Sequence, residues 1–114
     1  MKNLTFLLLF IGGMLFKANA QAPGYDDLIQ YYASEEYEKC LKKAYKYTQG
    51  DKTKKHAIPY LYLSKASFEI HKKGGPLLEK YPRVKKDALK YAGKCIQKDK
   101  EGIVYVDNMA YFTE

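Results

Sequence analysis

The sequence lacks the short motifs that commonly mark a catalytic or metal-binding site. It has no Gly-x-Ser-x-Gly nucleophile turn and no glycine-rich phosphate loop. His56 and His71 have no ligand-spaced partner, and Glu69-x-His71 is not the HExxH arrangement that binds zinc. The acid pairs at 26–27 and 35–36 fall at predicted helix starts, where the helix dipole accounts for them. These absences predict a protein that is not an enzyme and that uses no metal ion or other cofactor.

Cysteine is scarce, and its spacing excludes the usual zinc and thiol-redox motifs. The chain has two cysteines, Cys40 and Cys95, with no Cys-x-x-Cys pattern. In an exported protein, a disulfide between Cys40 and Cys95 is one interpretation. The other, which we favour, is that both thiols are buried and pack as small residues against a neighbouring helix.

Tryptophan is absent, and no alternating apolar and polar stretch is long enough to build a sheet. The 114 residues suffice for one domain, and a hydrophobic content of 46% allows it a packed core. Twelve tyrosines dominate the aromatic residues, and a tyrosine ring can line a helix interface while its hydroxyl stays in water. The sequence therefore predicts an all-α domain built of thin helical layers.

Residues 1–20 have the composition of a secretory signal peptide. Lys2 supplies the positive start, residues 4–16 are mostly apolar, and Ala18-Asn19-Ala20 is a small-x-small cleavage site. The apolar run is shorter than the ~20 residues that a membrane-spanning helix needs. We therefore predict that the mature chain is exported to the periplasm or the extracellular space, with a bacterial envelope as the expected setting. After cleavage it would not be an integral membrane protein.

One stretch of the chain occurs twice. Residues 40–52 align with residues 88–100 at an offset of 48, with seven identities in thirteen positions. Both copies carry small or apolar residues at helical spacing, such as Leu41 and Ala44 in the first and Leu89 and Ala92 in the second. A helix with one such stripe cannot bury it alone, so each copy needs a helical neighbour.

The sequence around these copies resembles the tetratricopeptide repeat, a two-helix unit of about 34 residues. In the second unit, Tyr60, Leu63-Ser64 and Phe68 match the aromatic and Leu-Gly positions of helix A. Ala88-Leu89 and Cys95-Ile96 match the small-then-aliphatic pairs of helix B. The resemblance implies an α-solenoid, a short stack of antiparallel helix pairs with about five helices after the signal peptide.

The resemblance also divides the chain. Residues 21–24 form a linker, 25–51 a first unit that matches the repeat mainly in helix B, and 57–99 a second unit. The offset of 48 exceeds the repeat length of about 34, so we place an insertion at 72–83. Residues 103–114 form a terminal helix. The closing proline of the repeat is absent, with Lys52 and Lys100 in its place.

Two sets of residues are candidates for binding a partner. If helix A of each unit lines a concave groove, as the resemblance implies, the groove residues are Ile29, Tyr32, Leu61, Lys65 and Phe68. The alternative is that these side chains pack against the next helix. The second set is a basic cluster around the insertion, made of Lys72, Lys73, Lys80, Arg83, Lys85 and Lys86. A solvated, solubilising loop is the alternative for this cluster.

The charge balance favours an acidic partner. The formal charge is +7, and 18 basic against 13 acidic residues remain once Lys2 and Lys17 are removed with the signal peptide. An anionic envelope surface or an acidic protein would suit the basic cluster, whereas export makes nucleic acid an improbable partner.

We therefore predict an exported, non-enzymatic helical scaffold that mediates protein–protein interaction in the cell envelope. Two alternatives stay open at this point. The chain could be the N-terminal helical module of a longer exported protein whose activity lies in a C-terminal domain. It could also bind an anionic surface through residues 72–86.

Overall fold

In the computed structural model, which describes residues 24–113, the chain is helical and contains no strand within that range. The all-α prediction is therefore confirmed. The seven helices are α1 (Asp26–Ala33), α2 (Tyr37–Gln49), α3 (Ala57–Lys73), α4 (Gly75–Lys80), α5 (Val84–Lys98), α6 (Ile103–Asp107) and α7 (Met109–Phe112). The predicted signal peptide and residues 21–23 of the predicted linker lie outside the described residues. None of the seven helices combines the length and the apolar content needed to cross a membrane.

Two features raise the number of helices above the five that were predicted. The insertion forms a helix of its own, α4, after Gly74 and Gly75 reverse the chain with φ angles of 67° and 72°. Glycine adopts such angles without the steric cost that a Cβ atom imposes. The predicted terminal helix is broken at Asn108, whose Nδ2 donates to the carbonyl oxygen of Val104 at 2.9 Å. The result is two short helices, α6 and α7.

Helix α3 is the central element of the fold, and it packs against α1, α2 and α5. Nine of its seventeen residues are buried, so the helix is covered on most of its circumference. Its Pro59 lies in the first turn, where the missing N–H has no hydrogen bond to lose. The two copies of the repeated stretch, which fall mainly in α2 and α5, therefore share α3 as the neighbour that each needs.

Helices α2 and α5 both run antiparallel to α3. Ile70, near the end of α3, packs with Tyr37 and Val84, the first residues of α2 and α5. At the other end, Leu61 of α3 packs with Cys95, close to the end of α5. Both helices therefore start at the end of α3 and run back along it, which leaves a furrow between them above α3.

The terminal helices fold back onto this core. Both carboxylate oxygens of Asp99 accept hydrogen bonds from the backbone N–H groups of Val104 and Tyr105, at 3.2 and 2.8 Å, and so start α6. Tyr111 on α7 then places its hydroxyl 2.7 Å from Ser64 Oγ on α3. Residues 103–112 therefore cover one end of the α3–α5 pair.

Candidate binding site

The five residues predicted to line a groove do not form one surface. Leu61 is only 1% exposed and packs against Cys95, so its assignment to a groove is wrong. The physical reason is that α3 is central, and its face at Leu61 turns toward α5. Ile29 is 46% exposed on α1 and does not line the cavity shared by the other three. Tyr32, Lys65 and Phe68 do lie together, around a cavity of about 310 Å³.

In the region predicted to be a groove, the ammonium group of Lys65 contacts other side chains of the protein. Its Nζ lies over the rings of Tyr32, Tyr62 and Tyr111, at 5.3, 5.4 and 5.6 Å from their centroids. It also donates to Asn108 Oδ1 at 3.3 Å. Burial lowers the pKa of Lys65, and electrostatic interaction with Cys40 and Cys95 acts in the opposite direction. Lys65 thus joins α1, α3 and α7.

The predicted basic cluster is divided by the fold. Three of its members form ion pairs: Lys72 with Glu69 at 3.0 Å, Lys73 with Glu35 at 3.1 Å, and Lys80 with Glu38 at 2.6 Å. The other three are exposed and form no ion pair with any described residue: Arg83, Lys85 and Lys86. The cluster is therefore about half neutralised by acids from α2, α3 and the turn before α2.

The two cysteines are free and fully buried, in separate parts of the core. The Sγ of Cys40 lies 3.8 Å from the carbonyl oxygen of Leu28, while Cys95 packs with Leu61. Burial raises the pKa of each thiol to about 12, and Asp27 and Asp99 add to the shift for Cys40 and Cys95 respectively. The structure contains no bridge between them, and both behave as small packing residues.

The furrow between α2 and α5 contains a cavity of about 480 Å³, which we call the α2–α5 cleft. This volume falls within the range of small-ligand sites, roughly 300–1,000 Å³. Helix α3 forms its floor, and the segment after α4 closes one side. Most lining residues are apolar or aromatic: Leu41, Tyr45, Leu63, Tyr81, Pro82, Val84 and Tyr91. Ser67 and four charged residues complete the lining: Lys42, Lys80, Arg83 and Asp87.

Ser67 is the unusual member of this lining. It is 0% exposed, and its Oγ has no hydrogen-bond partner among the described residues. Ser64, one turn earlier on α3, is equally buried, but its Oγ donates to the carbonyl oxygen of Ala88 at 2.6 Å. A buried hydroxyl without a partner costs free energy. Among residues 24–113, Ser67 is the one position that bears this cost, and it lies on the floor of the cleft.

Glu38 on α2 holds the rim of the cleft in place. Its Oε2 accepts hydrogen bonds from Lys80 Nζ and the Tyr81 hydroxyl, both at 2.6 Å, and Lys42 Nζ lies 3.7 Å away. The hydrogen bonds from Lys80 and Tyr81 lower the pKa of Glu38 to about 2, from an ordinary value of 4.5. One carboxylate thus ties the end of α4 to α2.

Replacing Glu38 with Gln is expected to flatten the acid dependence of stability. Because the folded-state pKa is below the unfolded-state value, ionised Glu38 stabilises the fold above pH 4.5. That contribution is lost as the pH falls from 4.5 to about 2. Urea unfolding at a series of pH values in this window should give a shallower loss of stability for Glu38→Gln than for the unmodified protein. Hydrogen exchange of residues 77–81 should also be faster in the variant at neutral pH.

Glu79→Gln is the matched control, because Glu79 is exposed and forms no ion pair with any described residue. It removes the same charge from the adjacent helix α4. If both variants gave the same pH profile, the contacts of Glu38 would contribute nothing specific to stability.

A second feature of the described residues is a set of exposed apolar side chains on the last three helices. Five of the seven large hydrophobic side chains that are exposed belong to α5, α6 and α7. We call them the α5–α7 surface: Leu89 (73% exposed), Ile96 (48%), Ile103 (55%), Val106 (63%) and Met109 (49%). Leu89 borders a small cavity of about 160 Å³ that Tyr111 and Phe112 of α7 also line. The apolar face of α5 therefore continues onto α7.

Sequence reasoning missed both the cleft and the α5–α7 surface. Arg83 was identified only as part of the basic cluster, and Ser67 carries no sequence signal of its own. Leu89 was matched to a packing position of the repeat, yet it is the most exposed of the large apolar side chains in the described range.

No group of three or more His, Cys, Asp or Glu side chains within residues 24–113 is arranged to hold a metal ion. Comparisons of the chain with protein-family models, curated protein sequences and solved structures give no match. The geometry of the described residues is therefore what supports a functional proposal.

Proposed function

We propose that this protein is an exported, non-catalytic helical scaffold that binds another protein through the α5–α7 surface. The observation that carries the proposal is the concentration of exposed apolar side chains on these helices, led by Leu89 at 73% and Val106 at 63% exposure. Clusters of exposed apolar side chains commonly mark sites of protein contact, since water solvates them poorly.

The architecture supports a scaffold of the tetratricopeptide-like kind. The repeated stretches fall in α2 and α5, both antiparallel to the central α3, as in a stack of helix pairs. In such a stack each unit covers the apolar face of the one before it. Within the described residues, α6 and α7 cover only part of α5. A protein partner would bury the remainder.

Binding to an anionic surface through residues 72–86 has less support from the geometry. Lys72, Lys73 and Lys80 are already paired with acids, and exposed pairs of this kind leave little net attraction for a distant anion. Protein contact is therefore the function that we propose.

Site-specific photo-crosslinking in the native cell tests this proposal. A benzophenone amino acid replaces Leu89, which projects from the α5–α7 surface. We expect a discrete adduct between the protein and one partner of defined mass after illumination. A second change, Val106→Lys, places a charge on the apolar surface and should abolish that adduct. Because the Val106 side chain is exposed, the variant should remain folded.

The control places the same amino acid at Lys46, an exposed position on α2. No adduct is expected there. Equal adducts at both positions, or none at Leu89, would contradict the proposal.

A further inference from the structure

The α2–α5 cleft has a polar end and an apolar end. On α3, Ser67 lies one turn beyond Leu63. Because α5 runs antiparallel to α3, Arg83 at the start of α5 lies toward Ser67, and Tyr91 lies toward Leu63. The antiparallel α2 likewise places Tyr45 toward the Leu63 end. A hydroxyl and a guanidinium thus mark one end of the cleft, and tyrosine rings with a leucine mark the other.

The hydroxyl at the polar end is buried and lacks a partner. Ser67 is 0% exposed and its Oγ has no partner among the described residues, although nearly all buried polar groups in proteins have one. The residue lines the cleft, so rotation of its side chain about χ1 toward the cleft would let a bound group complete its hydrogen bonding. A serine hydroxyl can donate one hydrogen bond, which a carboxylate oxygen accepts.

The charge at the polar end fits a single negative charge. The cleft is lined by three cations, Lys42, Lys80 and Arg83, and by the acid Asp87. Glu38 lies against both lysines, at 3.7 Å from Lys42 Nζ and 2.6 Å from Lys80 Nζ. With Glu38 included, one positive charge is in excess, and Arg83 is the cation without an ion pair among the described residues.

We propose that the α2–α5 cleft binds an amphipathic monocarboxylate, with its head at Ser67 and Arg83 and its chain along Leu63, Tyr45 and Tyr91. A cavity of about 480 Å³ corresponds to roughly 16 water volumes, which accommodates a carboxylate of about eight to ten carbons. Each buried methylene contributes favourably to binding, and the charged head fixes the orientation. This site is separate from the α5–α7 surface, since Leu89 does not line the cleft.

Isothermal titration calorimetry of the purified protein with octanoate, octanol and octylammonium tests this proposal. We expect one octanoate per chain with a Kd below about 1 mM, and binding at least about tenfold weaker for octanol and for octylammonium. Arg83→Gln should weaken octanoate binding about tenfold and leave octanol binding unchanged. Ser67→Ala should also weaken octanoate binding, because the head group loses a hydrogen-bond donor.

Lys85→Gln is the matched control, since Lys85 is exposed two residues from Arg83 and does not line the cleft. It removes the same charge and should leave octanoate binding unchanged. Circular dichroism checks that each variant is folded. If Lys85→Gln and Arg83→Gln weakened octanoate binding equally, the effect would be a general attraction of the anion to basic residues, and the proposal would be overturned. Stoichiometry well above one, tighter binding of octylammonium, or no octanoate binding would also overturn it.

Discussion

Replacing Leu61 with Ala is expected to lower the free energy of unfolding by about 2–5 kcal/mol. Leu61 is 1% exposed and packs between the start of α3 and the end of α5, beside Tyr60 and Cys95. Truncation removes buried methyl groups and leaves a cavity between two helices, which a close-packed core fills only in part. Because domains of this size are stabilised by about 5–15 kcal/mol in total, the variant should lose a large share of its stability. Urea unfolding followed by circular dichroism measures the difference.

Leu89→Ala provides the comparison, because it makes the same chemical change at a side chain that is 73% exposed. Its expected effect is within about 0.5 kcal/mol of zero. The pair also tests a reversal between sequence and structure. The sequence placed Leu61 in a groove and Leu89 at a packing position, whereas the structure buries Leu61 and exposes Leu89. If Leu89→Ala destabilised the protein as much as Leu61→Ala, the burial described for α5 would be incorrect.

Much of the helical layout could be predicted from the sequence. The repeated stretch identified two helices that each need a neighbour, and Pro59 is a residue that favours the first turn of a helix, where α3 places it. The pair Gly74-Gly75 marked the end of α3, since few other residues adopt positive φ readily. These signals act locally, through backbone preference and periodicity, so one sequence is enough to detect them.

Details that depend on tertiary contacts were not predicted. Ser34 belongs to a residue type that favours helix N-caps, but it ends α1: its backbone N–H bonds to the carbonyl oxygen of Gln30, and α2 begins only at Tyr37. The break at Asn108 depends on its side chain bonding to Val104 and to Lys65. The bond to Val104 spans four residues and is local, whereas the contact with Lys65, 43 residues away in the sequence, requires knowing which helices lie together.

The candidate site was the least predictable part of the molecule. The cleft lies between α2 and α5 on α3, and Glu38 forms its rim by holding Lys80 and Tyr81 against α2. These residues are far apart in the sequence, and their roles are set by packing. The sequence does not distinguish Ser67, on the floor of the cleft, from Ser64, which differs only in its partners.

Replacing each of these two serines with Ala is expected to change stability in opposite directions. Ser64→Ala removes a hydrogen bond of 2.6 Å to Ala88 and another of 2.7 Å to the Tyr111 hydroxyl, at a cost of about 1–3 kcal/mol. Ser67→Ala removes a buried hydroxyl that has no partner among the described residues, so it should raise the free energy of unfolding by about 1 kcal/mol. Alanine also favours a helix interior more than serine does, and this gain is common to both variants.

The difference between the two variants is therefore the informative quantity, and we expect it to be about 2–4 kcal/mol. Because both changes are Ser to Ala on α3, three residues apart and fully buried, helix preference and side-chain volume cancel in the comparison. Thermal and urea unfolding without added ligand should both show Ser67→Ala as the more stable variant. Octanoate binding measures independently whether the Ser67 hydroxyl has a role other than stability. Equal destabilisation by the two changes would show that the Ser67 hydroxyl already has a partner, and the cleft would lose its strongest indication of a ligand.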